Sequence, residues 1–221
     1  MTMQVLAAAA THTGLVREHN EDALHHGRTV HAVADGLGGH AAGEVASAMA
    51  IETIARLDEQ GLGHDVDEVR QALVDAVELA NRRIHDDSVR HADRAGMGTT
   101  LTVAAVHEGA LLLAHVGDSR AYLVRDGETE QVTDDHAIGG LITEAVGTAP
   151  EVTVDTYGPT PLRPGDRMVL CSDGLTAVVA DHELSALATA GDPQAAADAL
   201  VDETLRRGAP DNVAVVVIAA E

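Results

Sequence analysis

Apolar and polar positions along this chain follow two periods. Between 65 and 92 the residues Val66, Val69, Leu73, Val77, Ala80 and Ile84 recur every three or four positions. That spacing lines one face of a helix and predicts a long one there. "AAGEVASAMAIETIARLDEQ", from 41 to 60, reads as a second helix just before it. Most of the remaining apolar residues come in short runs. Residues 3–13 and 28–34 read as strands. "TTLTVAAVHE" and "ALLLAHVGD" flank Gly109 as a hairpin. "AYLVRDGETEQVT" carries Asp126-Gly127, a pair suited to a tight two-residue turn. Residues 134–145 read as a short helix, and 152–157 and 167–172 as strands. Asp192-Pro193 opens a helix as N-cap and first residue, and Gly208 ends it after Arg206 and Arg207. "NVAVVVIAA" closes the chain as a buried strand. Strands joined by hairpins imply antiparallel sheet, and helices grouped in two blocks imply layers covering it, an α+β architecture. No repeat or Pro/Ser-rich linker interrupts the pattern, so residues 1–221 are expected to form one domain.

Composition narrows the chemistry. With no Phe or Trp and two Tyr, the core must be built from Ala, Val, Leu and Ile. The formal net charge is −22, and every basic residue except the 13 His is Arg. That balance argues against nucleic acid and against an anionic membrane surface as partners. The absence of Lys removes the Walker-type phosphate loop and lysine Schiff-base chemistry. Cys171 is the single cysteine, so no disulfide can form within the chain. A cysteine-based phosphatase loop would need Arg at 177, where Ala177 stands. The opening "MTMQVLAAAATHTG" lacks the basic start and long apolar stretch of a signal peptide. No apolar run approaches membrane-spanning length. The expected location is the cytoplasm.

One motif repeats: an acid where an apolar run meets its edge. "VHAVAD" ends at Asp35 before Gly36, "RMVLCSD" at Asp173, and "LLLAHVGD" at Asp118. Asp211 in "APD" precedes the last strand, and Asp22 in "NED" stands a few residues ahead of the second strand. Carboxylates gathered at a half-buried edge repel one another and lose hydration, and divalent cations relieve both costs. All-oxygen ligands suit Mg²⁺ or Mn²⁺ better than Zn²⁺. Gly36 would let the backbone approach closely and offer its carbonyl. Gly36-x-Gly38-x-x-Ala41 also fits the loose dinucleotide fingerprint, but a second helix follows where a parallel strand is required. His25 and His26 sit side by side, where strand geometry would point them to opposite faces. Cys171 is expected to serve packing, Thr99 and Thr100 to shape a turn and strand start, and Ser119 and Arg120 to brace the Asp118 loop.

The segments "TGLVREHNEDA", "VADGLGGHAAGEVAS", "GMGTTLTV", "AHVGDSRAYLVRDG", "VTDDHA", "LCSDGL" and "APDNVAVVV" occur here in that order. Their series resembles the metal-dependent serine/threonine protein phosphatases of the protein phosphatase 2C type, in the bacterial form, over nearly the whole chain. The resemblance implies a four-layer α-β-β-α sandwich, two central antiparallel sheets flanked by helices. It implies two ions of Mn²⁺ or Mg²⁺ at one end, with Asp35 bridging, Gly36 lending a carbonyl, Asp173 and Asp211 as further ligands and Asp22 acting partly through water. Asp118 matches the ligand of a third, looser ion, and Arg17 the residue that grips phosphate. A water activated by the metal pair would attack phosphorus directly, without a phosphoenzyme. His40 is the candidate proton donor to the leaving oxygen, although Leu37 stands where some forms carry that His. The implied substrates are phosphorylated proteins, with a serine/threonine kinase as partner class and a monomer as working state. Bacterial members carry a longer flap after the T-x-D-H motif; here it is cut to a stub near 136–147, which implies a more open site. Two other readings fit: a non-catalytic phospho-signalling sensor on the same fold, and a phosphatase of small phosphoesters.

Overall fold

The computed structural model describes residues 4–38 and 42–221. The chain runs β1 (Val5–His12), β2 (Asp22–His26), β3 (Val30–Leu37), α1 (Ala42–Gln60) and α2 (Val66–Arg90), then β4 (Gly98–Thr99), β5 (Leu101–His107), β6 (Ala110–Val116), β7 (Arg120–Arg125) and β8 (Glu128–Gln131). A small hairpin of β9 (Ala137–Ile138) and β10 (Leu141–Ile142) follows, then β11 (Asp155–Pro161) and β12 (Arg167–Cys171). Helices α3 (Asp173–Thr176), α4 (Asp181–Ala188) and α5 (Pro193–Arg206) precede β13 (Val213–Ala220).

Two sheets form, ordered β1-β13-β12-β7-β8 and β11-β6-β5-β3-β2, and every pairing within them is antiparallel. Alternation along the strands sets the layers. On β3, Val30, Ala32 and Ala34 pack with α1 and α2, while Val33 faces the other sheet. On β13, Val213, Val215 and Val217 pack with α4 and α5, while Ala214, Val216 and Ile218 face β3, β5 and β6. Both faces of each central strand are therefore buried, and the layers stack α-β-β-α as the resemblance implied. The α2 stripe holds: Val69, Leu73, Val77, Ala80 and Ile84 are buried, and Val66 packs at its margin. Asp65 caps that helix by accepting from Glu68 N at 2.9 Å, and Asp192 caps α5 by accepting from Ala195 N at 2.9 Å. Among the described residues no helix is long and apolar enough to cross a membrane.

Several boundaries differ from the sequence reading. Residues 134–145 are not a helix: they hold the β9–β10 hairpin, whose Gly139 and Gly140 both take positive φ (61° and 80°), a turn that no helix accommodates. The strand expected at 28–34 runs 30–37, because Arg28 and Thr29 wrap around the Asp58 carboxylate instead. The strand expected at 152–157 is displaced to Asp155–Pro161. Strand β2 and helices α3 and α4 were not anticipated.

Candidate metal and phosphate site

The five acids come to one edge of the sandwich from five places in the chain. Asp22 opens β2 and lies directly opposite Asp35 near the end of β3. Asp173 opens α3 immediately after β12, Asp118 sits in the β6–β7 turn, and Asp211 precedes β13. A cleft of about 270 Å³ is lined by Arg17, Asp35, Gly36, Asp173 and Asp211, together with Ile142 of the β9–β10 hairpin. Asp22 is buried and does not line the cleft, and Asp118 acts on Asp35 through its charge while Asp173 acts on Asp118. His40 falls outside the described residues.

Backbone hydrogen bonds fix this edge. Thr100 N donates to Asp35 O and Thr100 Oγ1 accepts from Asp35 N, each at 2.9 Å, while Thr99 Oγ1 donates to the same carbonyl. The Thr-Thr pair therefore clamps the Asp35 backbone, which goes beyond shaping a turn. Ser119 Oγ bonds Thr100 Oγ1 at 2.7 Å, tying the Asp118 turn to the same clamp. Arg120 makes a forked ion pair with Asp135 and donates to Tyr122 Oη, holding the far side of that turn. Gly36 is obligatory in packing terms: a Cβ there would run into the carbonyl oxygens of Gly43 and Glu21.

Two residues within the motifs had no assigned role. Asn212 donates to Thr13 O and His19 O and accepts from Glu21 N, all at 2.8 Å, so one side chain fastens both ends of the Arg17 loop to the start of β13. Ser172 Oγ donates to Asp22 Oδ2 at 2.7 Å and accepts from Ala214 N. Their positions beside Asp211 and Asp173 were the available signal.

The electrostatics are those of an edge short of positive charge. Burial pushes Asp22 up to about 7, with Asp173 and Asp211 adding to the rise against the Ser172 hydrogen bond. Burial raises Asp35 well above the carboxylate range, with Asp22 and Asp173 adding repulsion. Burial and the charges of Asp173 and Asp135 bring Asp118 to about 6. Oδ1 of Asp22 and Oδ1 of Asp118 are buried and accept no hydrogen bond. The charges of Asp22 and Asp173 both raise the Asp35 carboxyl. Among the described residues no three carboxylate, imidazole or thiol groups close around one point as a finished cage. The acids form a chain of neighbours instead, Asp22 to Asp35 to Asp173. Unsatisfied, desolvated, all-oxygen donors of this kind fit hard divalent cations. Arg17 reaches over the cleft mouth and donates from Nη2 to Asp211 Oδ2 at 2.7 Å, with its side chain half exposed. Cys171 is fully buried and its thiol is pushed up to about 12, as a packing role requires.

Known proteins share this arrangement of sequence and fold. The sequence pattern of the family described as Protein phosphatase 2C matches residues 12–214. The serine/threonine protein phosphatase PstP of Mycobacterium tuberculosis is 39% identical over 98% of this chain, which spans 45% of that relative's length. The protein phosphatase PhpP of Streptococcus pneumoniae is 34% identical over 94% of each chain. A crystal structure of the PstP catalytic domain in complex with two manganese ions superposes with a TM-score of 0.90 at 38% identity, covering 99% of both chains. On the match over 203 of its residues and on these relatives, the chain belongs to the protein phosphatase 2C family.

Proposed function

We propose that this chain hydrolyses phosphoserine and phosphothreonine in proteins, using two divalent cations, Mn²⁺ or Mg²⁺, held on the acidic edge. The observation that carries the reading is the pair of buried carboxylate oxygens on Asp22 and Asp118 that accept no hydrogen bond, within a cluster whose acids are raised by burial. Desolvated acceptors gathered in one cluster are the arrangement a bound cation satisfies. The names of the relatives support the phosphatase activity, and the two manganese ions of the PstP domain support the metal.

Asp35, Asp173 and Asp211, with the Gly36 carbonyl, would hold the pair; Asp22 would act from beneath, and Asp118 would serve a third, looser ion. When bound, such cations acidify a water to a hydroxide nucleophile near neutral pH and offset the charge of the phosphoryl oxygens. Arg17 orients the substrate: its planar guanidinium can grip two phosphate oxygens at once and stays charged at every working pH. Asn212 keeps that loop in register with Asp211. His40 is the proposed donor of a proton to the departing seryl or threonyl oxygen. In this reading the phosphoryl group passes directly to water and no phosphoenzyme is needed, which agrees with the buried Cys171 and the absence of Lys. A serine/threonine kinase that makes the phosphoproteins is the matching partner class.

The test is direct. Purified protein is assayed with Mn²⁺ on phosphothreonine peptides and on an aryl phosphate, alongside Asp35→Asn. Phosphate release by the native chain, lost in the variant, supports the reading. Inertness toward every substrate points to a sensor, and hydrolysis of the aryl ester without any peptide points to a small-molecule phosphatase.

A further inference from the structure

Asn81 stands in the interior of α2, within "ELANRRIHDD", and is 1% exposed. A helix interior disfavours Asn, whose short amide competes for backbone hydrogen bonds, and a buried amide needs partners. The partners of Asn81 all lie on one distant segment. Its Oδ1 accepts from Gly147 N at 2.6 Å, and its Nδ2 donates to Ala149 O at 3.1 Å and to Pro150 O at 3.3 Å. One turn further along the helix, the His85 ring lies 3.2 Å from Gly147 O. Gly147 has a φ of 93°, and a Cβ on it would run into the Ile84 side chain. The strap 146–150 is thus pressed against α2 and fastened to it by its backbone.

The same strap leads to the acidic edge. A few residues upstream of it, Ile142 lines the cleft. Val146 makes a two-way bridge with Thr99: Val146 N donates to Thr99 O at 2.9 Å, and Thr99 N donates to Val146 O at 3.0 Å. Thr99 is the register partner of Gly36, and its hydroxyl donates to Asp35 O at 2.9 Å. Asn81, Gly147, Val146, Thr99 and Gly36 are all buried. A close-packed interior transmits displacement rather than absorbing it, so the position of the strap on α2 bears on the backbone at Asp35 and Gly36. No residue of α2 lines the cleft itself.

We infer that Asn81 is a positioning residue for the metal edge. By holding the strap on α2 it fixes Thr99, and through Thr99 the backbone that presents the Asp35 carboxylate and the Gly36 carbonyl. It touches neither metal nor substrate. The inference rests on the metal site proposed above. Loss of the Asn81 amide leaves Gly147 N and two carbonyls without their partner. The strap then relaxes away from the helix, and a protein that is still folded holds the divalent pair less tightly.

Calorimetric titration of the metal-free protein with Mn²⁺ tests this independently of turnover. Asn81→Ala should weaken Mn²⁺ binding by about tenfold, the scale on which groups that support a metal's ligands act. Leu73→Ala, a core truncation earlier in the same helix, controls for instability alone. It should lower the melting temperature at least as far and bind Mn²⁺ as the native chain does. His85→Ala removes one contact to the strap and should weaken Mn²⁺ binding by a smaller factor; it decides the question if Asn81→Ala fails to fold. Native Mn²⁺ affinity in folded Asn81→Ala, or in His85→Ala where that variant stands in for it, would overturn the inference. Equal weakening in Leu73→Ala would overturn it as well. Failure of the native chain to bind Mn²⁺ would instead remove the metal site beneath it.

Discussion

Asp22 and Asp58 are equally buried, each 9% exposed, yet their carboxyls are driven in opposite directions. Burial would raise Asp58 too, but Arg28 N, Thr29 N, Thr29 Oγ1 and Val30 N all donate to it at 2.9 Å and hold it down at about 2. Asp22 receives one hydroxyl, from Ser172, faces other acids, and is driven up to about 7. Low surface exposure alone therefore does not separate a structural carboxylate from one proposed to be functional; the depth of the carboxyl and the supply of donors do. Asp58 fastens the turn that leads into β3. Asp22 and its neighbours are held in place by their backbones and left short of positive charge.

That contrast can be broken at either end. The largest effect is expected from Asp35→Asn at the acidic edge. Hydrolysis in Mn²⁺ should fall on the order of a thousandfold, as when a charged partner of a transition state is removed. The fold should stay native, and steady-state kinetics beside a melting curve would show it; a loss below about tenfold would refute the role given to Asp35. At the other end, Asp58→Ala should cost about 3 kcal/mol in urea unfolding, because the N–H groups of Arg28, Thr29 and Val30, the last of them buried, and the Thr29 hydroxyl lose their acceptor. Asp22→Asn should not destabilise the metal-free protein at all.

Titration sharpens the comparison. The stabilisation from Asp58, with its lowered carboxyl, is complete above its unfolded value of 3.8 and is lost as pH falls toward 2. That contribution is about 2 kcal/mol. Asp22 has the opposite sign: its contribution is complete below 3.8 and is lost as pH rises through about 7. Stability of the metal-free protein, followed by denaturant midpoint against pH, should thus decline on both sides of about pH 4. Asp58→Asn should remove the acid limb, and Asp22→Asn should flatten the neutral one. The smallest effect is on thermal stability: Mn²⁺ at ten times its dissociation constant should add about 1.4 kcal/mol to the native chain. Asp35→Asn should show no such gain.

The parts of the fold with strong periodicity were legible. The α2 stripe, the Gly109 and Asp126-Gly127 hairpins and the cap at Asp192 form as their residues dictate. The failures have physical causes. Strand β2 reads "DALHH", too short and too polar to show alternation, and it exists because β3 pairs with it. The 134–145 segment carries apolar residues at helical spacing, but Gly139-Gly140 lowers the cost of reversing the chain there. At the site, the acids could be found because charge at the end of an apolar run is conspicuous. Asn212 and Ser172 could not, since a neutral side chain reveals its partners only when distant segments are brought beside it.

The aliphatic core has a practical consequence. Tyr122, sealed inside the sandwich, and Tyr157, on an edge strand, are the whole aromatic complement of the 221 residues, so the protein emits almost no light of its own under ultraviolet excitation. One indole introduced by Leu141→Trp, on the hairpin at the mouth of the cleft, would shine against a dark background. Its colour and quenching would then report binding beside that hairpin in real time.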